Sequence, residues 1–446
     1  MRVAIVGYGS QGTSAYGYWH AKGDEVTICD SREHIDVPQG ALTQLGKDYL
    51  NNLDRFDVVV RAAPSIHPNA LVAANSPDIL TKVTSNTNEF FSVCPSRNII
   101  GVTGTKGKGT TSTLIAQMLQ AAGQTVHLGG NIGIPPLDLL QDTIRPDDWI
   151  VMELANFQLI DFTGRPRIAV CLMVVPEHLD WHTDMAEYMN AKSQLFARQT
   201  STDTAIYYAD NQNSTDIART GAGHKLPYYR TPGAWVNGNM VTIDGKEVCT
   251  TDEIKLLGAH NWQNVCAAIT AVWQTGVHDI PAMRSVLTSF SGLEYHLERI
   301  RELDGVTYYN DSFGTTPETA IVALQAFTEP KVLILGGSDK GVGFTELARE
   351  IKNSNVRHIL LIGNTTNTDR PTVTPKLEKA LRAAGVENIT SLMKPGGAQM
   401  DEVLAQARNA AQPGDVVLFS TGCASFDMYA NYKDRGKQFT TAVRSL

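Results

Sequence analysis

Short apolar runs alternate along the chain with longer stretches of helical periodicity, a pattern typical of α/β domains built on parallel sheets. The runs predicted to form strands are RVAIVGYG, EVTICD and FDVVVRAA, then NIIGVTG, DWIVMEL, IAVCLMVV and DTAIYYAD, and finally VTYYND, KVLILGG, HILLIG and DVVLFS. The breaks in this pattern predict three domains, at residues 1–92, 93–291 and 292–446, joined by short linkers.

The first predicted strand ends in a glycine-rich loop, residues 7–12, that reads G-x-G-x-x-G and opens a helical stretch. Asp30 ends the next strand, where an acid that contacts a ribose would stand. Backbone N–H groups at such a helix start can hold a phosphate, so we expect a diphosphate ligand. A turn without a ligand remains an alternative. An NAD-dependent oxidoreductase would need a second nucleotide-binding half, and a different phosphate loop follows instead.

That second loop is TGTKGKGTTS, residues 103–112, at the end of one predicted strand and the start of a helix. It resembles a Walker A loop with shortened spacing, and Gly109 follows its lysine, Lys108. Free backbone N–H groups, a positive helix end and a lysine are what a triphosphate requires. The loop therefore predicts an ATP–Mg²⁺ site. Because Gly109 displaces the hydroxyl by one residue, Thr110 is the candidate magnesium ligand.

Candidate metal ligands stand at the ends of the next two predicted strands. Glu153 ends the strand in VMELANFQL, and VVPEHLDWH offers Glu177, His178, Asp180 and His182. The two histidines are spaced i, i+4, but the glutamate of H-E-x-x-H is missing, which disfavours a zinc protease. His178 alone could be structural. Its place at a strand end beside the phosphate loop favours a role in the site.

Composition narrows the class of protein. The net charge of −8 does not favour a nucleic-acid partner, and apolar residues at 42% with charged residues at 19% describe an ordinary globular chain. The six cysteines are scattered without a C-x-x-C pair, so we expect reduced thiols in the cytosol. The chain opens on a strand without a signal segment, and no apolar run is long enough to span a membrane. These features predict a cytoplasmic protein.

A set of motifs in this order resembles the Mur ligase family, and within it the ligases that add glutamate to UDP-N-acetylmuramoyl-alanine. The resemblance covers essentially the whole chain. The motifs are TGTKGKGTT, GGNIGIP (129–135), ELANFQL (153–159), HLD (178–180), GAHNWQNVCAA (258–268), NDS (310–312), GGSDKGVGF (336–344) and CASFDMYANYKDRGKQF (423–439). Several are weak individually, but eight in sequence are specific.

The resemblance implies a Rossmann-like N-terminal UDP-binding domain, a central P-loop ATPase-type domain and a C-terminal Rossmann-like domain that binds the amino acid. It implies an ADP-forming ligase of peptidoglycan biosynthesis. ATP would phosphorylate the carboxylate of UDP-N-acetylmuramoyl-L-alanine, and the amine of glutamate, expected as D-glutamate, would attack the acyl phosphate. A monomer is expected.

The resemblance also assigns roles to residues. Lys108, Glu153, His178 and Lys192 would be catalytic, and two Mg²⁺ ions would be held by Thr110, Glu153, His178 and a carbamate on Lys192. Without the family resemblance, Lys192 would be interpreted as an exposed lysine on a helix and Lys340 as a lysine in a turn. The nucleotide contacts would be Gly104, Thr105, Lys106, Gly107, Lys108, Gly109, Thr110, Thr111, Asn264, His296 and Asp311. The substrate contacts would be Gly9, Ser10, Gln11, Asp30, Ser31, Arg32, Asn131, Lys340, Ser425 and Tyr432.

Four positions depart from the family pattern. Tyr295 and His296 stand where the family has His-Arg, Phe313 replaces a lysine, and Ala155 replaces a serine. His296 or Arg299 is a hypothetical substitute for the missing arginine. Folylpolyglutamate synthases, which share a similar phosphate loop, are the main alternative. The others are a ligase for another amino acid such as L-glutamate, a non-catalytic nucleotide-binding regulator, and an NAD-dependent oxidoreductase.

Overall fold

The computed structural model describes all residues except 65, 257, 259 and 339–342. It is an α/β structure with parallel sheets, which confirms the predicted fold class. The chain forms two compact units, one of residues 1–254 and 259–290 and the other of residues 255–258 and 291–446. The three domain boundaries stay a prediction. Among the described helices, none combines the length and apolar character needed to cross a membrane.

The first sheet has the strand order β3-β2-β1-β4-β5, and all its pairings are parallel. Its strands are β1 (Arg2–Val6), β2 (Glu25–Asp30), β3 (Leu42–Leu45), β4 (Val58–Arg61) and β5 (Val83–Thr84). Its helices are α1 (Ser10–Ala21), α2 (Pro68–Ala74) and α3 (Asn86–Val93). The three strands predicted here are confirmed. The two that sequence reasoning missed are short strands at the sheet edges.

The second sheet of the same unit has the order β11-β10-β9-β6-β8-β7 and is also parallel throughout. Its strands are β6 (Ile99–Thr103), β7 (Val126–Gly130), β8 (Trp149–Glu153), β9 (Ile168–Cys171), β10 (Thr204–Tyr208) and β11 (His224–Tyr228). Its helices are α4 (Lys108–Ala121), α5 (Asn156–Leu159), α6 (Met185–Ala197), α7 (Gln212–Ala218), α8 (His260–Trp273) and α9 (Ile280–Leu287). A small antiparallel sheet follows, of β12 (Trp235–Asn237), β13 (Met240–Ile243) and β14 (Lys246–Thr250).

Strand order in the second sheet decides which loops become neighbours. β6 lies in the middle, with β8 on one side and β9 on the other, and all three are fully buried. Strands buried on both faces are mostly apolar, and the polar residues of β6 and β8, Thr103 and Glu153, stand at the last position of each strand. Because the strands are parallel, the segments that leave β6, β8 and β9 start from one edge of the sheet.

The second unit is built on a sheet of order β15-β16-β20-β17-β18-β19, in which β15 is antiparallel to β16. Its strands are β15 (Glu298–Leu303), β16 (Val306–Asn310), β17 (Lys331–Leu335), β18 (Val356–Leu361), β19 (Ile389–Ser391) and β20 (Val416–Phe419). Its helices are α10 (Pro317–Gln325), α11 (Thr345–Asn353), α12 (Thr374–Ala383), α13 (Met400–Ala410) and α14 (Tyr432–Ser445). Two apolar cores pack against this sheet.

All six cysteines are buried, and none of them forms a disulfide in the part of the chain that the structure describes, as expected for reduced core thiols. Burial raises the pKa of several of these thiols, that of Cys29 to about 12. A thiol with so high a pKa carries almost no thiolate and is a poor nucleophile or metal ligand. The cysteines therefore contribute packing.

Candidate active site

The phosphate loop leaves the buried end of β6 and enters α4. Gly107 caps the helix with a φ of +83°, a left-handed conformation that favours glycine. A Cβ at this position would lie 2.2 Å from Oδ1 of Asn264 on α8. The hydroxyl of Thr111 donates to the same oxygen at 3.5 Å. Asn264, predicted to contact the nucleotide, therefore lies directly against the loop.

Two lysines converge on the backbone of this loop. Nζ of Lys108 donates to the carbonyls of Gly104 (3.1 Å) and Thr105 (2.9 Å). Nζ of Lys192, from α6, donates to the Gly104 carbonyl at 2.8 Å. Burial, and next the charge of Lys108, lower the pKa of Lys192 to about 7. The side chain of Lys192 is fully buried, so the prediction of an exposed lysine, made without the family resemblance, is wrong.

A carboxylate faces these cations from the neighbouring strand. Glu153 is buried at the end of β8, and its Oε1 accepts a hydrogen bond from Nδ2 of Asn131 at 2.8 Å. Burial lowers the pKa of Lys108, and the charge of Glu153 opposes that shift. Asn131, predicted to contact the sugar, thus orients the predicted magnesium ligand in this structure.

His178 lies in the third segment of the site, which follows β9. Its backbone is left-handed (φ +57°), and its ring lies 4.8 Å from that of Phe157. Burial lowers its pKa, so the imidazole is neutral at physiological pH and has a nitrogen lone pair to offer. Glu177 pairs with Lys106, which places a second loop lysine beside the HLD segment.

These residues fit magnesium chemistry. Glu153 follows β8, His178 follows β9 and Thr110 lies on the first turn of α4 after β6, so the three segments start at one sheet edge. A hydroxyl oxygen, a carboxylate and the unprotonated nitrogen of a neutral imidazole can each donate a lone pair to a cation. A carboxylate buried between neighbouring polar groups is the expected anchor for such an ion.

The N-terminal loop positions a basic side chain at the first sheet. Arg32 donates from Nε and Nη2 to the two carboxylate oxygens of Asp30, both at 2.8 Å. The hydrogen bonds from Arg32 lower the pKa of Asp30 to about 2. Oδ2 of Asp30 also accepts from the backbone N–H of Tyr8 at 2.7 Å. Asp30 therefore holds Arg32 beside the loop of Gly9, Ser10 and Gln11, and Ser31 between them is exposed.

The second unit contains the remaining predicted contacts. Asp311 is buried, and its oxygens accept from Oγ of Ser420 (2.6 Å) and the backbone N–H of Leu297 (3.2 Å). Burial raises its pKa to about 7. Ser425 is buried, Tyr432 begins α14, and Lys340 lies outside the described residues.

His296 does not provide a second cation. Its ring stacks on Phe313 with centroids 3.7 Å apart, and burial lowers its pKa to about 4. A neutral imidazole cannot replace the arginine of the family pattern electrostatically. Arg299, the other hypothetical substitute, forms an exposed ion pair with Glu302 at 2.8 Å.

Residues 102–272 match the Mur ligase middle domain, and residues 297–423 match the Mur ligase glutamate ligase domain. The chain is 34% identical over 456 residues to the UDP-N-acetylmuramoylalanine–D-glutamate ligase of Clostridium novyi (strain NT), with 100% of this chain and 96% of the relative covered. The chain belongs to the Mur ligase family.

Solved Mur ligase structures share its fold. The UDP-N-acetylmuramate–alanine ligase of Thermotoga maritima gives a TM-score of 0.60 at 15% identity, covering 100% of this chain and 99% of that one. The MurF ligase of Thermotoga maritima in complex with ADP gives 0.56 at 16% identity, covering 99% and 95%. At such low identity these two likenesses show the fold.

Sequence reasoning missed one polar cluster in this Mur ligase. His182, considered above only as half of an i, i+4 histidine pair, is buried and lies with His67 and Glu187. Neither partner belongs to a motif, and His67 comes from the region of the first sheet. Only the fold brings the three together, so no spacing in the sequence could have found them.

Proposed function

We propose that this Mur ligase joins D-glutamate to UDP-N-acetylmuramoyl-L-alanine, with conversion of ATP to ADP and phosphate, in peptidoglycan biosynthesis. The full-length similarity to a UDP-N-acetylmuramoylalanine–D-glutamate ligase carries the substrate assignment. The pair of lysines at the phosphate loop, facing Glu153, supports the chemistry. The γ-phosphoryl group passes to the substrate carboxylate, the amine displaces phosphate from the acyl phosphate, and an amide forms.

The chain's own residues would lower the main barrier, which is the approach of a carboxylate to a triphosphate. Lys108 would leave its two carbonyl partners to bind the β- and γ-phosphates, while backbone N–H groups of residues 106–110 bind the remaining oxygens. Thr110, Glu153 and His178 would hold magnesium, which supplies charge neutralisation when bound.

Lys192 would act as a carbamate. Carbamylation needs a neutral amine, and an amine with a pKa of about 7 is neutral in a large fraction of molecules at physiological pH. The neutral amine would attack CO2 and release a proton, and the N-carboxylate formed beside Lys108 would complete the magnesium ligands. An unmodified lysine would repel both the metal and Lys108.

The remaining substrates would bind through the other predicted residues. Arg32 and the loop of Gly9, Ser10 and Gln11 would bind the UDP moiety, and Asn131 the sugar. Asn264, His296 and Asp311 are assigned to the nucleotide, and Lys340, Ser425 and Tyr432 to glutamate, by the family pattern. We expect a cytoplasmic monomer.

The deciding experiment is phosphate release from ATP–Mg²⁺ in the presence of UDP-N-acetylmuramoyl-L-alanine and a panel of D-glutamate, L-glutamate and other amino acids. Folate and NAD serve as controls for the alternative functions. Turnover that requires the UDP substrate and is fastest with D-glutamate supports the proposal. Absence of turnover with every UDP-muramoyl acceptor contradicts it, and turnover with folate supports the folylpolyglutamate alternative.

A further inference from the structure

The cluster of His67, His182 and Glu187 is centred on one carboxylate oxygen. Oε2 of Glu187 lies 3.2 Å from Nε2 of His67 and 3.1 Å from Nδ1 of His182, and it accepts from the backbone N–H of Thr183 at 2.9 Å. The side chain of His182 is fully buried, and the other two are mostly buried. We call these three side chains the Glu187 junction.

The outer partners of the junction fix the imidazole tautomers. The backbone N–H of Asn69 donates to Nδ1 of His67 at 3.1 Å, so that nitrogen carries no proton and Nε2 donates to Glu187. Nδ2 of Asn156 donates to Nε2 of His182 at 2.8 Å, so Nδ1 of His182 donates to Glu187. Both histidines are therefore neutral donors to one carboxylate.

This arrangement of hydrogen-bond donors and acceptors argues against a metal ion at the junction. A metal on Nε2 of His67 would leave Nδ1 to carry a proton, which the donating N–H of Asn69 opposes. Metal-bound histidines normally donate from the second nitrogen to an acceptor. The cluster is better explained as a hydrogen-bonded anchor.

The position of the junction along the chain indicates what it anchors. Asn156 follows Glu153 by three residues, His182 follows His178 by four, and Glu187 precedes Lys192 by five on α6. The junction thus ties together the three segments that carry the proposed magnesium ligands, at positions within five residues of Glu153, His178 and Lys192 along the chain. His67, the N-cap residue of α2, adds the first-sheet region.

Aromatic contacts continue from the junction to His178. The ring of Trp181 lies 4.5 Å from His67 and 4.9 Å from Phe157, and Phe157 lies 4.8 Å from His178. The ring of Trp181 also lies 4.7 Å from that of His182, so packed rings connect both histidines of the junction with His178.

We propose that Glu187 is a positioning residue, which sets the relative placement of Glu153, His178 and Lys192 and so the affinity of the site for Mg²⁺. The proposal rests on the proposed function of that site. It assigns no contact between Glu187 and the substrates.

The test is Glu187→Gln in the full chain. The amide oxygen can take the place of Oε2, but its hydrogen bonds to the two imidazoles are neutral and weaker than those of the carboxylate. We expect the Mg²⁺ concentration that gives half-maximal ATP binding, measured by calorimetry, to rise roughly tenfold, as for other residues that orient metal ligands. The melting temperature without Mg²⁺ and the half-maximal Mg²⁺ concentration for turnover are measured alongside.

Glu253→Gln is the matched control. Glu253 stands at the third position of the 3₁₀ helix Thr251–Glu253, as Glu187 does in α6, and it accepts the backbone N–H of Thr250 at 2.9 Å, but it lies outside the junction. An equal Mg²⁺ requirement in Glu187→Gln, Glu253→Gln and wild type overturns the proposal. A similar loss of melting temperature in both variants, with a changed Mg²⁺ requirement only in Glu187→Gln, supports it.

A second pair of variants covers failure of Glu187→Gln to fold. His67→Gln keeps an N–H that can reach Glu187, whereas His67→Ala removes it. We expect His67→Ala to raise the Mg²⁺ concentration required for ATP binding, and His67→Gln to require a concentration close to that of wild type. Identical behaviour of the two variants overturns the proposal. Because calorimetry follows ATP binding, the junction is tested even if wild type shows no turnover with the UDP substrate, a result that contradicts only the proposed function.

Discussion

The ammonium groups of Lys108 and Lys192 both donate to the carbonyl oxygen of Gly104, at 3.1 and 2.8 Å. One carbonyl cannot balance two cations in a buried site, and the pKa of Lys192 falls to about 7 as a result of burial and of its neighbour's charge. Lys192, whose pKa falls to about 7, is thus the lysine proposed to become a carbamate, and Lys108 is the one proposed to bind phosphate.

Lys192→Ala should lower kcat by at least about a hundredfold, because it removes a positioned charge from the site. Formate or acetate, added at millimolar concentration, should restore part of the activity by filling the place of the carbamate. Phosphate release at increasing carboxylate concentration measures the rescue.

Two controls separate this effect from lost packing. Lys108→Ala should be inactive and should not respond to carboxylates, since its role needs a cation. Lys225→Ala removes another partly buried lysine that donates to backbone carbonyls, those of Gly221 and Gly223, and should retain activity. Full activity of Lys192→Ala without additives would exclude the carbamate.

Gly107→Ala should abolish tight ATP binding. The added Cβ would lie 2.2 Å from Oδ1 of Asn264, and the φ of +83° strains any L-residue by about 1–3 kcal/mol. Gly123→Ala is the matched control, because Gly123 has a φ of +79° with open space around its Cβ. It should lose stability by about 1 kcal/mol and keep the ATP affinity of wild type.

The double variant Gly107→Ala with Asn264→Ala tests the steric part of that prediction. Removing the amide relieves the clash but leaves the backbone strain, so the two losses should be less than additive in a double-mutant cycle. ATP affinity from calorimetry provides the four values. Additive losses would mean that Gly107 and Asn264 are not coupled.

Much of this fold follows from sequence because the central strands are buried on both faces. β9 is an unbroken apolar run, and β6, β8 and β17 are apolar except at one end residue, so their sequences predict them directly. Short edge strands such as β5 carry no comparable pattern. The pattern of apolar residues likewise does not predict the role of a single polar residue.

Some residues of the candidate site could likewise be predicted from the sequence, and others could not. The phosphate loop has a local signature, so Lys108 and the glycines could be predicted. Lys192 looks like any helix lysine until the fold buries it at the Gly104 carbonyl. The partnership of His67 with Glu187 joins residues 120 positions apart and has no signature at all. Contacts of this kind depend on tertiary packing, which a single sequence does not encode in any local pattern.

Arg32→Ala should weaken binding of the UDP substrate and leave the KM for ATP unchanged. Asp30 holds the guanidinium by two hydrogen bonds of 2.8 Å, which pre-orients it for a phosphate. A charge-assisted hydrogen bond of about 1.5–3 kcal/mol corresponds to a rise in KM of roughly 10–100-fold.

Arg2→Ala is the control for that change. The side chains of Arg2 and Arg32 are both 56% exposed and both pair with an aspartate, but Arg2 stands at the opposite end of β1 from the loop. Initial rates at varied UDP-N-acetylmuramoyl-L-alanine give the KM of each variant. Equal KM values for the two variants would remove Arg32 from the UDP site.

Asp311 should make the second unit less stable as the pH rises from about 4 to about 7. Burial raises its folded-state pKa to about 7, whereas the unfolded chain has an ordinary value of 3.8. Below pH 4 both states are protonated and the carboxyl contributes nothing. Between these values the unfolded state releases the proton while the folded state retains it, so the contribution of this carboxyl to stability falls by at most about 4 kcal/mol and is level above pH 7.

Asp311→Asn should remove this slope, because an amide does not titrate. Its oxygen can accept the N–H of Leu297 and its nitrogen can donate to Oγ of Ser420, so both present contacts have a replacement. Hydrogen exchange of the β16 and β20 amides, corrected for the intrinsic pH dependence, reports the opening free energy of this unit in the full chain. Asp304→Asn, at an exposed carboxylate, should behave as wild type. The pKa of His296, lowered by burial, gives this unit an opposite slope, so the quantity to compare is the opening free energy of wild type minus that of Asp311→Asn. A difference that does not fall between pH 4 and pH 7 would show that Asp311 ionises in the folded state at an ordinary pH.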